Sequence, residues 1–187
     1  MGPLEELPVE HLREQFEVNA FGPHRVTRAT LPSMRRRGSG TVVNVSSVYG
    51  RTTMLGQGAY CGAKFALEAM SDTLRAEVSR HGIDVVLIEP GPVETRFGET
   101  ALRTIENLDR TGAYEWFDGL YDGRGTIDRA PGALRPEAVA EVVVEAASDP
   151  DPDARYRSSP YGAALLLDRL APTTVRDRAL RLVQRLA

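Results

Sequence analysis

Two short runs rich in β-branched and aliphatic residues, Thr41-Val42-Val43-Asn44-Val45 and Asp84-Val85-Val86-Leu87-Ile88, flank a stretch of helical periodicity from Ala59 to Arg80. This succession constrains the fold more than any other feature of the chain. Neither run alternates apolar with polar residues, so both predict strands covered on two faces. Between them Ala63, Leu67, Met70, Leu74 and Val78 recur at helical spacing until His81-Gly82, where glycine suits a left-handed cap. Two strands joined by a helix of this length require a crossover, which implies parallel pairing and a layered α/β fold.

The flanking sequence extends the pattern. From Val9 to Arg37, Leu12, Phe16, Ala20, Val26, Ala29, Leu31 and Met34 keep roughly helical spacing, interrupted by Gly22-Pro23 and Pro32, which predicts one long, kinked helix. Gly38-Ser39-Gly40 is turn chemistry. Glu89-Pro90-Gly91-Pro92 stops the second strand abruptly. Residues 93–134 carry several glycines and the aromatics Phe97, Tyr114, Trp116, Phe117 and Tyr121 with weak periodicity. They are expected to form short helices and loops covering a pocket, with the aromatics either a satellite core or the lining of an apolar substrate site. Pro136–Ser148 reads as a helix opened by proline, and Ala154–Ser158 as a weak third strand. Thr173–Ala187 reads as an amphipathic helix with Val175, Ala179, Leu182, Val183 and Leu186 on its apolar face.

Composition narrows the function. With 187 residues, 42% of them hydrophobic, the chain has material for one domain core. Its 23 Lys plus Arg against 26 Asp plus Glu give a net charge of -3, too weak a field to draw nucleic acid. No apolar run approaches the roughly 20 residues of a membrane span, and the Arg-rich terminal helix is expected to pack over the pocket rather than lie on a membrane. One cysteine, Cys61, forms no internal disulfide and agrees with a cytoplasmic setting. It stands for packing or for redox chemistry. The three histidines lack ligand spacing, so no metal site is expected.

Tyr60 and Lys64 stand four residues apart on a predicted helix, on one face and within one turn. A lysine cation near a phenol favours the phenolate and brings a tyrosine toward use as an acid/base; alone, such a pair is equally a solvated one. Ser47 directly follows the first strand, thirteen residues before Tyr60. In open parallel sheets ligands sit beyond the carboxyl ends of the strands, which aims that hydroxyl at a crevice, although serines there also serve as simple turn formers. Pro90-Gly91-Pro92-Val93 ends the second strand at the same rim and reads either as an ordinary turn or as a loop admitting close approach of a ligand.

The ordered set Val42-Val43-Asn44-Val45-Ser46-Ser47, Tyr60-Cys61-Gly62-Ala63-Lys64-Phe65-Ala66-Leu67-Glu68 and Glu89-Pro90-Gly91-Pro92-Val93-Glu94-Thr95 resembles the signature of the short-chain dehydrogenases/reductases. Its wording is most similar to the hydroxysteroid and retinol dehydrogenase branch. The resemblance implies a Rossmann-like, doubly wound parallel sheet and a nicotinamide-dependent oxidoreductase, using NAD or NADP, that interconverts a secondary alcohol and a ketone. It implies that Tyr60 is the acid/base, that Lys64 lowers the Tyr60 pKa and holds the nicotinamide ribose, and that Ser47 bonds the substrate oxygen. Asn19 matches the helix asparagine that links the lysine to solvent through water. Pro90, Gly91, Val93 and Thr95 match the loop beside the nicotinamide. The substrate is expected to be a small apolar alcohol or ketone.

The same resemblance implies a missing part. A family member of ordinary length opens with a Gly-rich strand-turn-helix that binds the cofactor pyrophosphate, whereas Met1-Gly2-Pro3-Leu4-Glu5-Glu6 matches the stretch after the family's fourth strand. Residues 1–187 are therefore expected to form a single incomplete domain, the carboxy-terminal part of the fold. Its first strand would present an unpaired edge, leaving the chain marginally stable, self-associating or dependent on the missing part. The alternative function is a non-catalytic module that forms homo-oligomers through the helices Val9–Arg37 and Ala59–Arg80.

Overall fold

A computed structural model describes residues 1–120, 132–158 and 170–186. The expected unit is present: β1 (Gly40–Val45), α3 (Gly58–Val78) and β2 (Ile83–Glu89) form a parallel crossover, with Gly40 opposite Ile83 and Val45 opposite Ile88. The weak third strand is β3 (Arg155–Arg157), parallel to β2, giving the order β1-β2-β3.

The long first helix is interrupted at its Gly22-Pro23 pair but not at the expected Pro32, which lies inside a continuous helix. α1 (Val9–Phe16) runs through a π-helical turn, Glu17–Phe21, into α2 (Gly22–Arg37). Pro23 has no N–H to return to the turn before it, so the ladder is broken where the wider turn forms. α2 ends in Gly38 at φ +69, and α3, continued by a 3-10 turn at Ser79–His81, ends in Gly82 at φ +64. Both glycines take the left-handed conformation open to a residue without Cβ. A Cβ on Gly82 would stand 2.3 Å from the Gly38 carbonyl oxygen, so the two helix ends meet backbone to backbone. This contact starts β1 and β2 side by side.

The sheet is covered on both faces. Leu31 and Met34 of α2, with Leu74 and Val78 of α3, pack on Val42, Ile83 and Val85. On the other face α6 (Pro136–Ser148) packs Val139, Val142, Val143 and Ala146 on Val43, Val86 and Ile88. Ile83, Val85, Val86, Leu87 and Ile88 are each at most 2% exposed; burying side chains of this size contributes about 1.5–3 kcal/mol apiece. β2 is thus the buried strand its composition predicted.

β1 is not. Only Val42 among its residues is buried, and Val45 is 46% exposed. Among the described residues β1 pairs with β2 alone, so no strand covers its second edge.

The segment after β2 holds α4 (Phe97–Glu106) and α5 (Trp116–Leu120), with a bridge between Val93 and Leu134 closing its ends. Tyr121 and the rest of the covering segment through residue 131 lie outside the described residues. The segment is tied to the chain start by Glu6, whose carboxylate accepts from the Thr111 amide and hydroxyl at 2.8 Å and pairs with Arg110 at 2.9 Å. The terminal helix α7 (Thr173–Leu186) touches α5. Its inner side carries Arg176, Leu180 and Val183, whereas Val175 and Leu182 of the expected apolar face are exposed. Docking on a small neighbour, rather than the widest apolar stripe, set its rotation. No described helix is long and apolar enough to cross a membrane.

Candidate active site

At the carboxyl ends of β1 and β2 lies a cleft of about 370 Å³. Into it face Ser47, Tyr60, Lys64, Pro90, Gly91, Val93 and Thr95, seven of the eight residues singled out in the sequence. Each arrives for a local reason. Ser46 N–H donates to the Ile88 carbonyl at 2.8 Å and Val48 N–H to the Pro90 carbonyl at 2.9 Å, so the chain leaving β1 stays paired with the chain leaving β2. Ser47 caps the 3-10 turn Val48–Gly50 by accepting from the Tyr49 amide at 3.2 Å. Tyr60 and Lys64 lie in the first two turns of α3, and the Lys64 ammonium stands 5.6 Å from the Tyr60 ring centre.

Asn19 is the exception. It sits in the π-helical turn, which packs on α3, but its amide donates to the Gln15 carbonyl of its own helix at 3.1 Å, and it is not among the cleft lining.

The electrostatics follow from burial. Tyr60 is hydrogen-bonded to Ser47. Burial, the largest influence, pushes its phenol up; the Ser47 hydrogen bond pulls it back, and the Cys61 thiol adds a smaller upward push. Burial lowers Lys64 to about 8, against an upward pull from the Glu68 carboxylate. Lys64 Nζ donates to the Val45 carbonyl at 2.9 Å, one of three N–H bonds in use. The neighbouring Tyr49, half-buried and beside Cys61 and Tyr60, is pushed up to about 12 and stays protonated at neutral pH. Within this arrangement the Ser47 hydrogen bond favours ionisation of Tyr60 against the burial that opposes it.

Sequence reasoning missed several members of the site. Tyr49 flanks the Tyr60 ring at a centroid distance of 6.4 Å, together with Phe97, one of the aromatics already weighed as pocket lining, at 5.2 Å, and Pro136 and Val139 of α6 close the far wall. Behind the cleft is a charge cluster around the buried carboxylates of Glu68 and Glu89. Arg155 donates to Glu89 at 3.0 Å, Glu68 at 3.2 Å and Asp72 at 2.6 Å; Arg157 donates to Glu89 at 3.0 Å. Arg51 stands 3.9 Å from both Glu68 and Glu89. Glu68 lies one turn beyond Lys64, a spacing visible in the sequence, whereas Arg155 comes from a strand 87 residues away.

The aromatics of the covering segment divide. Phe97 serves the cleft, while Tyr114, Trp116 and Phe117 line a separate apolar cavity of about 490 Å³ with Leu4, Phe65 and Cys61. Burial pushes the Cys61 thiol up, which suits packing and not thiolate chemistry.

A nicotinamide group is tested by what the cleft offers. Lys64 retains two N–H donors beside the Pro90–Thr95 loop, the chemistry that ribose hydroxyls accept, and the residues present fit the nicotinamide end.

Known proteins carry the same arrangement of sequence and fold. The family described as short chain dehydrogenase matches residues 1–106. The chain is 38% identical over 181 residues to Uncharacterized oxidoreductase YbbO of Escherichia coli strain K12, covering 96% of this chain and 62% of that protein. It is 37% identical over 174 residues to human 17-beta-hydroxysteroid dehydrogenase type 1, covering 91% of this chain and 52% of that one. A crystal structure of a short-chain dehydrogenase from Streptomyces avermitilis superposes with a TM-score of 0.73 at 31% identity, over 98% of this chain and 65% of that chain. The chain thus spans between about half and two thirds of these relatives' lengths. A parallel α/β sheet, a serine, tyrosine and lysine at its carboxyl rim, and a match over more than half the sequence lead to one statement: this chain belongs to the short-chain dehydrogenase family.

Proposed function

We propose that this chain is the catalytic portion of a nicotinamide-dependent oxidoreductase that interconverts a secondary alcohol and a ketone, with Tyr60 as acid/base. The observation that carries the reading is the shared cleft of Ser47, Tyr60 and Lys64, with Tyr60 hydrogen-bonded to Ser47. In the reducing direction the Tyr60 phenol gives its proton to the carbonyl oxygen. Ser47 donates a hydrogen bond to the same oxygen as charge builds on it. Lys64 uses its remaining N–H bonds on ribose hydroxyls, and its charge offsets that of the phenolate left behind. The nicotinamide cofactor, NAD or NADP, supplies or accepts the hydride. Asn19 connects Lys64 to solvent through water once its amide leaves Gln15.

Residues 93–134 act as the substrate cover, and Phe97, Tyr49 and Val139 give the cleft an apolar wall suited to a small apolar alcohol or ketone. The wording of the Tyr60 and Pro90 motifs supports the hydroxysteroid and retinol dehydrogenase branch. In this reading the chain is the carboxy-terminal part of a longer fold, a single incomplete domain, and forms homo-oligomers through α1 to α3.

Because burial raises the Tyr60 phenol, alcohol oxidation, which starts from phenolate, speeds up as pH rises above neutrality, while ketone reduction is sustained there. The test joins the chain to an upstream Gly-rich strand-turn-helix half and offers it NAD or NADP with a 17β-hydroxysteroid and simple secondary alcohols, following the reduced nicotinamide. Tyr60→Phe should lower kcat by roughly 100- to 10,000-fold. Turnover that survives Tyr60→Phe refutes the reading, and so does a folded protein, joined to that upstream half, that is inactive with every pair.

A further inference from the structure

The charge cluster behind the cleft has no part in the proton transfer just described, yet one of its members, Glu68, stands one helical turn from Lys64. Lys64 is 8% exposed, Glu68 4% and Glu89 2%. An ammonium so buried needs compensation, and among the described groups the one hydrogen-bond acceptor given to it is the neutral Val45 carbonyl. Glu68, four residues on along α3, lies on the same face of the helix. Its carboxylate is in turn fixed at 3.2 Å by Arg155, which also grips Asp72 of α3 and Glu89, the residue leading into Pro90 and Gly91.

We infer that Glu68, clamped by Arg155, is a positioning residue for Lys64: the buried counter-charge that holds this ammonium at the cleft while the same arginine fixes α3 to the start of the Pro90–Thr95 loop. The inference rests on reading Lys64 as a site residue. The groups facing the pair are Tyr60 and Cys61 from α3, Tyr49 from the 3-10 turn, and, around Glu68, Arg51, Asp72, Glu89 and Arg155. Of these, Glu68 is the charge that acts on Lys64, and it acts to keep the ammonium protonated.

The chain provides its own reporter, because Lys64 is its only lysine. Labelling lysine with carbon-13 at Cε gives a single resonance whose shift follows the ammonium without any turnover. In the parent chain this resonance should titrate on either side of a midpoint near 8, and should show a second, smaller inflection at acid pH when Glu68 takes up a proton. Glu68→Gln should lower the main midpoint by roughly one pH unit and abolish the acid inflection. Asp72→Asn, which removes another carboxylate from the same guanidinium, should leave the main midpoint in place. A midpoint unmoved by Glu68→Gln overturns the inference. So does a parent resonance lacking the acid inflection, a measurement that needs no variant to fold. A Tyr60→Phe chain that retains turnover would sink the catalytic reading and leave this titration standing, so the two failures are distinguishable.

Discussion

Replacing Lys64 by methionine should stabilise the fold at neutral pH, against the usual expectation for a buried polar contact. The folded chain holds Lys64 at about 8 where an ordinary lysine has 10.5. At roughly 1.4 kcal/mol per pH unit, this is about 3 kcal/mol of unfavourable free energy carried by the charged form at pH 7. The sign is fixed by proton counting. Below about 8 both folded and unfolded chains carry the proton and the penalty is complete. Between about 8 and 10.5 the unfolded chain binds more proton, so stability rises with pH and the penalty fades. Lys64→Met removes that penalty and the hydrogen bond to Val45 together; a bond to a charged group contributes about 1.5–3 kcal/mol. The net gain at pH 7 is therefore about 1 kcal/mol. The sharper quantity is its slope. The stability advantage of the variant over the parent should shrink by about 2 kcal/mol between roughly pH 7 and pH 9.5. Urea unfolding followed by Trp116, the only tryptophan, measures it, and comparing variant with parent cancels every other titration the two share. A difference that stays flat with pH refutes the reasoning.

Arg155→Met should cost about 1.5–3 kcal/mol, because it removes the charged hydrogen bonds to the buried Glu68 and Glu89 while Arg51 and Arg157 remain beside them; adding Glu68→Gln and Glu89→Gln should recover most of it in the same urea assay. Gly82→Ala should lower the melting temperature more than Gly38→Ala. Both place a side chain at positive φ, a strain of about 1–2 kcal/mol, but only Gly82 would also drive its Cβ to 2.3 Å from a backbone oxygen, whereas Gly38 faces open space. Equal melting temperatures for the two would remove the backbone contact as the reason for glycine at position 82.

Much of this architecture was legible in the sequence, because parallel strands and amphipathic helices announce themselves through side-chain period alone. Asp84–Ile88 contains four consecutive aliphatic residues, and only a strand covered on both faces disposes of them. Tyr60 and Lys64 share a face by helical geometry, and Ser47 reaches the same rim because it follows a strand parallel to β2. What sequence spacing does not encode is which neighbours a surface receives. β1 has the composition of a buried strand, yet Val45 is exposed because burial depends on the strand beside it and not on its own residues. The wall of Tyr49, Phe97 and Val139, the bond from Asn19 to Gln15 and the rotation of α7 depend likewise on contacts between distant segments. Arg155 makes the same point most sharply: nothing within its strand marks it, and only the fold brings it from 87 residues away to the carboxylate behind Lys64. Local period chose the elements and the pair on α3, whereas tertiary packing chose the electrostatic setting in which that pair stands.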